Sequence, residues 1–495
     1  MVKFRYVLIA CVLAISCLFI LYALNLFPLP GTDSRVFIPP AYLLSKGMGF
    51  NNPLYDISKI PNLHEAGANP FQFNYYAPFF SLFTGTISKI HPGYSTIFAI
   101  CALFSIVNLL LYAGTLSKLV NEKTSIIQKV IFVLSIVYVS NFVLPTVGRP
   151  EAISTLLIYT LYILYQKRHD ISQVVYNISI CVLFGLLLTT QIMGFFFGFL
   201  FFIIYEVLNS NNIYKTIWIN TARFVGVMAI FVIAMSLSPN GFMNTINGIR
   251  VHGTWALTRT DRSFAQFFYF WMLAPLSFGF LVISLLCAIV YTRSLIARAK
   301  NTTKLQVTLL ICLHLIVLYG IPKFILYASP TVYNASQFIF PMMVYLAIAM
   351  SSEVDKVTKN SIGIFTGVTY LCGLFLFFRW IFLFVEYKQS GKDYEHAKAV
   401  VNQYIHNGEH VYTTLALWPL YEDINHVTVY YDVFPLKKGD LIVLQQANYQ
   451  DARIEKYLKM CTVVCDWRTN RRATFLGLPL SNSPNSFSFV ICRVN

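Results

Sequence analysis

Apolar blocks recur along the whole chain, and many of them are ~18–25 residues long, the length a helix needs to cross ~30 Å of hydrocarbon. A helix satisfies its own backbone in lipid, so such blocks read as membrane spans. By this criterion spans are predicted near 6–27, 94–117, 129–146, 151–166, 173–190, 192–208, 217–237, 266–290, 304–321, 333–351 and 361–385, about eleven in all. The first, Tyr6 to Phe27 behind Lys3 and Arg5, is too long for a signal-peptide core and has no small-residue cleavage site, so it is expected to be retained as a helix. No internal repeat is visible, which weighs against a transporter built from two matching halves.

Composition agrees with the pattern. Hydrophobic residues make up 57% of 495 and charged residues only 12%, where a soluble domain carries roughly 25% charged residues. The net charge of +16 does not indicate a nucleic-acid partner, because the cations lie in short loops and form no single basic face. Lys118, Lys123 and Lys129, then Lys167 and Arg168, Lys215, Arg293 to Lys304, and Lys356 with Lys359 fall in alternate loops. The positive-inside rule makes those loops cytoplasmic, with the N-terminus inside and, for an odd helix count, the C-terminus outside. The ten Cys sit mostly in apolar segments as small hydrophobes, and none has zinc-site spacing.

Three segments then face outward: a first loop over 28–93, a loop around 238–265, and everything after about 388. The last part loses the membrane pattern. Ala397, Val400, Val401, Tyr404 and Ile405 recur at helical spacing, and short runs such as HVTVYY, DLIVLQQ and SFVIC follow. The expected fold class is therefore an all-α polytopic membrane protein with a small α/β extracytoplasmic C-terminal domain, divided as 1–387 and 388–495. Cys461, Cys465 and Cys492 lie in that domain, where an oxidising compartment would let one pair bridge. Compact loops and no endoplasmic-reticulum retrieval signal point to a bacterial inner membrane with a periplasmic C-terminal domain.

The candidate chemistry gathers on the outer side. Asp33 lies a few residues beyond the first span, where a carboxylate can take a proton from an acceptor hydroxyl, although a lone loop Asp also serves as a turn or cap. In GRPEAI, Pro150 suits a first helical turn and Glu151 meets the positive helix end; Arg149 with Glu151 is either a cap or part of a site. Arg250, His252, Arg259 and Arg262 crowd an outer loop that the positive-inside rule would keep poor in cations, which fits a phosphate ligand or anionic headgroups. Gln191 is placed at a turn between two short spans, and Lys323, Tyr333, Asn334 and Gln337 are polar side chains at a depth where such groups face a cavity. Span centres are nearly free of Asp, Glu, Lys and Arg, which disfavours a charged transport pathway.

This arrangement resembles the GT-C superfamily of polyprenyl-phosphate-sugar-dependent membrane glycosyltransferases, the group of the protein O-mannosyltransferases and the lipid A aminoarabinose transferase. The resemblance rests on the run from Asp33 to Phe50 with Ala41, Leu43, Leu44, Gly47, Gly49 and Phe50, on Arg149-Pro150-Glu151, on Tyr75 to Pro78, and on Tyr333 to Pro341. It implies an inverting transfer from a polyprenyl-phosphate-linked sugar to a lipid, glycan or protein acceptor at the outer face. Asp33 would be the general base, with Glu151 the second catalytic acid. Arg149, Arg250, Arg259, Arg262 and Lys323 would hold the donor phosphate; Arg35, Tyr75, Tyr76, Gln191, His252, Tyr333 and Gln337 would line the substrate pocket. Many relatives carry two acids in the first loop, whereas Ser34 and Arg35 follow Asp33 here. A lone carboxylate is a poor divalent-cation site, so no metal or other cofactor is expected. A lipid-linked oligosaccharide polymerase, a flippase or transporter, and a membrane scaffold are the competing readings.

Overall fold

The computed structural model describes residues 2–27, 34–52, 54, 76–119, 124–143, 147–168, 170–210, 212–258, 377–378, 380–388, 393–406, 409–414, 417–421, 427–429, 436–445, 459–468, 474–475, 478–479 and 487–495. Seven long helices match the first seven predicted spans: α1 (Val2–Leu24), α4 (Tyr94–Leu119), α5 (Ile126–Val143), α6 (Glu151–Gln166), α7 (Gln173–Thr190), α8 (Ile192–Asn209) and α9 (Ile213–Ser236). Within α1, α4, α7 and α9, the stretches Phe4–Leu24, Tyr94–Ser117, Gln173–Thr190 and Ile213–Ser236 are long and apolar enough to cross a membrane. The spans predicted at 266–290, 304–321 and 333–351, and most of 361–385, lie outside the described residues.

Caps explain where the helix starts depart from the hydropathy pattern. Helix α5 begins three residues before the predicted 129 because Ser125 and Gln128 form a reciprocal box: Gln128 N–H donates to Ser125 Oγ at 3.2 Å and Ser125 N–H to Gln128 Oε1 at 2.8 Å. Helix α9 begins at Ile213, not 217, because the Asn212 side chain accepts from Lys215 N–H at 3.1 Å. Hydropathy is blind to both signals, since the capping residues are polar.

The segment between α1 and α4, expected to be an outer loop, holds two helices among its described residues. It contains α2 (Ser34–Ser45) and α3 (Phe79–Ile87), packed on each other and on α4. Pro39 and Pro40 lie inside α2 and cannot donate to the carbonyls four residues back. The carbonyl of Val36, deprived of Pro40, instead accepts from buried Asn52 Nδ2 at 3.1 Å. Ser81 Oγ of α3 donates to the next carbonyl, that of Phe37, at 2.8 Å. Close approach is possible because Gly85 of α3 faces Ala41: a Cβ there would sit 2.7 Å from the Ala41 carbonyl oxygen. Helix α2 ends in a Schellman turn, with Gly47 N–H donating to Leu44 O (3.1 Å) and Met48 N–H to Leu43 O (2.9 Å). Gly47 has φ +74°, which accounts for the glycine in the Gly47-Met48-Gly49-Phe50 run.

The stretch 238–265, expected to be a loop, contains helix α10 (Phe242–Thr258) instead. Low hydropathy says only that the segment does not span, and a short helix of mixed polarity gives the same signal.

A helical stretch, 380–388, lies along α1. Trp380 stacks on Tyr22 (ring centroids 6.1 Å apart) and its Nε1–H donates to Ser140 Oγ of α5 at 3.0 Å, while Asn25 Nδ2 donates to the Tyr387 hydroxyl at 3.0 Å. The chain therefore leaves this stretch at the same end of the bundle as the end of α1. Helix α11 (Asp393–Tyr404) and strands β1 (Val411–Thr413), β2 (Val427–Val429), β3 (Leu441–Gln445), β4 (Cys461–Trp467), β5 (Thr474–Phe475), β6 (Leu478–Pro479) and β7 (Phe489–Val494) follow. Five strands form one sheet in the order β2-β1-β3-β7-β4, with β1 parallel to β2 and β3, and β7 antiparallel to β3 and β4. Strand β3 is buried along its whole length, as its continuous run LIVLQ requires of a strand covered on both faces. Buried Trp418 meets Tyr94 of α4 edge-on at 5.0 Å, and Tyr94 stacks on Tyr42 of α2 at 4.3 Å, seating this region on the same end of the bundle.

Candidate active site

Alternating helices bring every second turn to one end, and Arg149, Glu151 and Gln191 meet there. Gly148 has φ +84°, a conformation glycine supplies without strain. It also permits contact: a Cβ at Gly148 would lie 2.6 Å from Phe98 Cε1 and 3.1 Å from Ser34 Oγ. The α5–α6 turn thus sits directly against the first residue of α2. Asp33, which precedes Ser34 in the chain, lies outside the described residues.

Pro150 then starts α6 and places Glu151 in its first turn. Arg149 binds that carboxylate through one edge of its guanidinium, Nε to Oε2 at 3.0 Å and Nη2 to Oε1 at 2.9 Å. Both side chains are buried, Glu151 to 2% exposure and Arg149 to 10%. The guanidinium carbon stands 5.9 Å from the ring centroid of Phe37, which itself packs on Tyr76 and Phe80 at 5.0 and 5.9 Å. Gln191, the single residue between α7 and α8, donates from Nε2 to Glu151 Oε1 at 3.3 Å and accepts at Oε1 from Ser154 Oγ at 2.8 Å. A further tie joins the neighbouring turn, since buried Asn240 Nδ2 donates to the carbonyl of Phe50 at 3.1 Å. Residues from four segments are therefore tied together: the α2–α3 segment, the α5–α6 turn, the α7–α8 turn and the approach to α10.

Of the residues named from sequence, Arg149, Glu151, Gln191 and Tyr76 come together here. Arg250 is exposed on α10. Arg35 and His252 belong to α2 and α10, but their side chains lie outside the description, as do Asp33, Tyr75, Arg259, Arg262, Lys323, Tyr333 and Gln337 altogether. Ser154 was not singled out. Its signal was available, because it stands three residues after Glu151 and so on the same helix face.

Span interiors, expected to be nearly free of charge, hold one notable exception among the described residues: Arg223, in the middle of α9, is buried and pairs with Glu206 of α8 at 3.3 Å. Asn177 Oδ1 accepts from its Nε and Nη2 at 3.0 and 2.8 Å, and Asn220 Oδ1 from Nη1 at 3.0 Å. Its carbon also lies 5.4 and 5.2 Å from the rings of Tyr176 and Phe202. Sequence spacing hid the pair, because Glu206 and Arg223 are far apart along the chain and lie on different helices.

No family model and no curated protein matches this sequence. Solved structures do. The crystal structure of ArnT from Cupriavidus metallidurans in the apo state is similar over 98% of this chain and 97% of its own, at 11% identity and a TM-score of 0.38. The same protein bound to undecaprenyl phosphate matches over the same shares, at 10% identity and a TM-score of 0.36. The apo oligosaccharyltransferase from Archaeoglobus fulgidus matches 86% of this chain and 65% of its own, at 9% identity and a TM-score of 0.47. Both proteins are GT-C membrane glycosyltransferases. With every TM-score below 0.5, the likeness carries no argument by itself.

Proposed function

We propose that this chain is a membrane glycosyltransferase that moves a sugar from a polyprenyl-phosphate donor to an acceptor hydroxyl, with inversion at the anomeric carbon. The observation carrying the reading is the buried, bidentate Arg149–Glu151 pair, set against the start of α2 and therefore one residue from Asp33 along the chain. Asp33 takes the acceptor's proton as its oxygen attacks the anomeric carbon. The bond from that carbon to the phosphate oxygen breaks, and prenyl phosphate leaves with the electron pair. Negative charge grows on the departing oxygen, where a fixed guanidinium contributes most to the rate. Arg149 is that cation in this reading, with Arg250, Arg259, Arg262 and Lys323 as further phosphate ligands, and Arg35, Tyr76, Tyr75, His252, Tyr333 and Gln337 lining the pocket. The working end faces the outer side of the membrane, and the donor's tail lies among the helices.

The transport reading would gain from Arg223 in mid-span, but Glu206, Asn177 and Asn220 already engage that guanidinium. A positioned base contributes ~10²–10⁴-fold, so Asp33→Asn should lose transfer by about that factor. Purified protein would be given undecaprenyl-phosphate hexoses and pentoses with membrane extract as acceptor, and release of undecaprenyl phosphate followed. Near-wild-type release by Asp33→Asn would remove it as the base. Failure of the wild type to bind or turn over any of these donors would sink the transferase reading.

A further inference from the structure

We propose that Gln191 and Ser154 are positioning residues that act through Glu151, holding its carboxylate in one rotamer and so aiming the Arg149 guanidinium at the departing phosphate. The inference rests on the transferase reading above and deepens it.

Glu151 is the first residue of α6, and Arg149 precedes the helix. Neither long side chain is oriented by its own backbone. Their mutual grip fixes the two planes relative to each other, and something else must fix the pair within the protein. Gln191 does so from another helix turn. Its backbone is extended (φ −157°, ψ 109°), which breaks the line between α7 and α8, and its amide reaches α6.

The direction of that amide follows from chemistry. A carboxylate only accepts, so the nitrogen must face Glu151; the reverse orientation would set two acceptors against each other at 3.3 Å. Ser154 then fixes the amide from the other side, its hydroxyl 2.8 Å from Gln191 Oε1 and 3.1 Å from the Glu151 carbonyl. With one hydrogen to give, the shorter contact takes the larger share. The result is a directed chain in which hydroxyl donates to amide, amide to carboxylate, and guanidinium to carboxylate. In this proposal Ser154 and Gln191 act through Glu151, and Gln191 is not a pocket-lining residue, so their effect is on the aim of Arg149 when charge develops.

Kinetics can separate aim from mere packing. Gln191→Ala and Ser154→Ala should lower kcat, by ~10-fold for the former and several-fold for the latter, with donor KM and affinity for undecaprenyl phosphate held within about threefold. Ser154→Thr keeps the hydroxyl and should restore kcat. Gln191→Glu gives the most specific readout. Ionised, the introduced acid repels Glu151; protonated, it donates as the amide did. Its kcat relative to wild type should therefore rise as pH is lowered, which a packing defect would not produce. Equal kcat in Gln191→Ala and wild type would overturn the proposal, as would a Gln191→Glu pH profile parallel to wild type. Those outcomes leave the transferase reading standing, since wild-type turnover is measured beside them. A wild type inactive on every undecaprenyl-phosphate sugar would take both down.

Discussion

Replacing Glu206 with Ala strands a guanidinium inside the bundle. The Arg223 side chain is only 4% exposed and its Nη1 lies 3.3 Å from Glu206 Oε2. Breaking a buried pair by removing one partner costs ~3–5 kcal/mol, because the survivor keeps its desolvation penalty and loses its counter-charge. In Glu206→Ala the guanidinium retains three contacts to Asn177 and Asn220 and two aromatic faces, so the cost should fall at the lower end, ~3 kcal/mol. Arg223→Met should cost more. Among the described residues, the remaining hydrogen bond to Glu206 comes from the Tyr165 hydroxyl at 3.5 Å. The double variant leaves no unpaired charge, so it should be more stable than either single, which requires it to beat the sum of the singles by more than ~3 kcal/mol. Thermal melting of detergent-solubilised protein, followed by tryptophan fluorescence at matched detergent, would give the order wild type, double, Glu206→Ala, Arg223→Met. Additive losses, within ~0.5 kcal/mol, would refute the reasoning and make the pair a bystander.

Gly148→Ala should lower activity ~10-fold or more while the bundle still assembles, because a Cβ at φ +84° meets Phe98 and Ser34 and must push α2 away from Arg149; the check is kcat beside a melting curve. Burial pushes the Asp393 carboxyl up to about 6, with His396 partly offsetting it. The folded state then binds the proton more tightly than the unfolded chain, so stability falls as pH rises from the unfolded value toward 6 and is level above. Asp393→Asn should therefore raise Tm at pH 7.5 and leave it unchanged near pH 3.5. With no second acid beside Asp33 at the start of the first loop, chelation should spare most transfer activity; loss on chelation, restored by a divalent ion, would count against Asp33 acting alone. A single cysteine replacing Lys300 should be protected from an impermeant reagent in intact cells and one replacing Lys438 labelled, and labelling of both would reverse the orientation.

Sequence alone determined the features that depend on the local solvent and on neighbours in the chain. Apolar blocks of bilayer length predicted seven of the helices between α1 and α9, because partition into hydrocarbon is read residue by residue. Gly47 and Pro150 were legible for the same reason, since a left-handed turn and a first helical turn are demands of the local backbone. What tertiary structure decided is which distant groups satisfy one another. The amide of Asn52 covers the Val36 carbonyl that Pro40 leaves open; Glu206 pairs with Arg223 across two helices; Ser154 and Gln191 form a chain behind Glu151. In the sequence Arg149 and Glu151 read equally as a cap or as a site. Their burial, Gln191 arriving from the α7–α8 turn, and Ser34 against Gly148 come from helix packing, where residues far apart in the chain share one desolvated space and each buried polar atom must find its partner there.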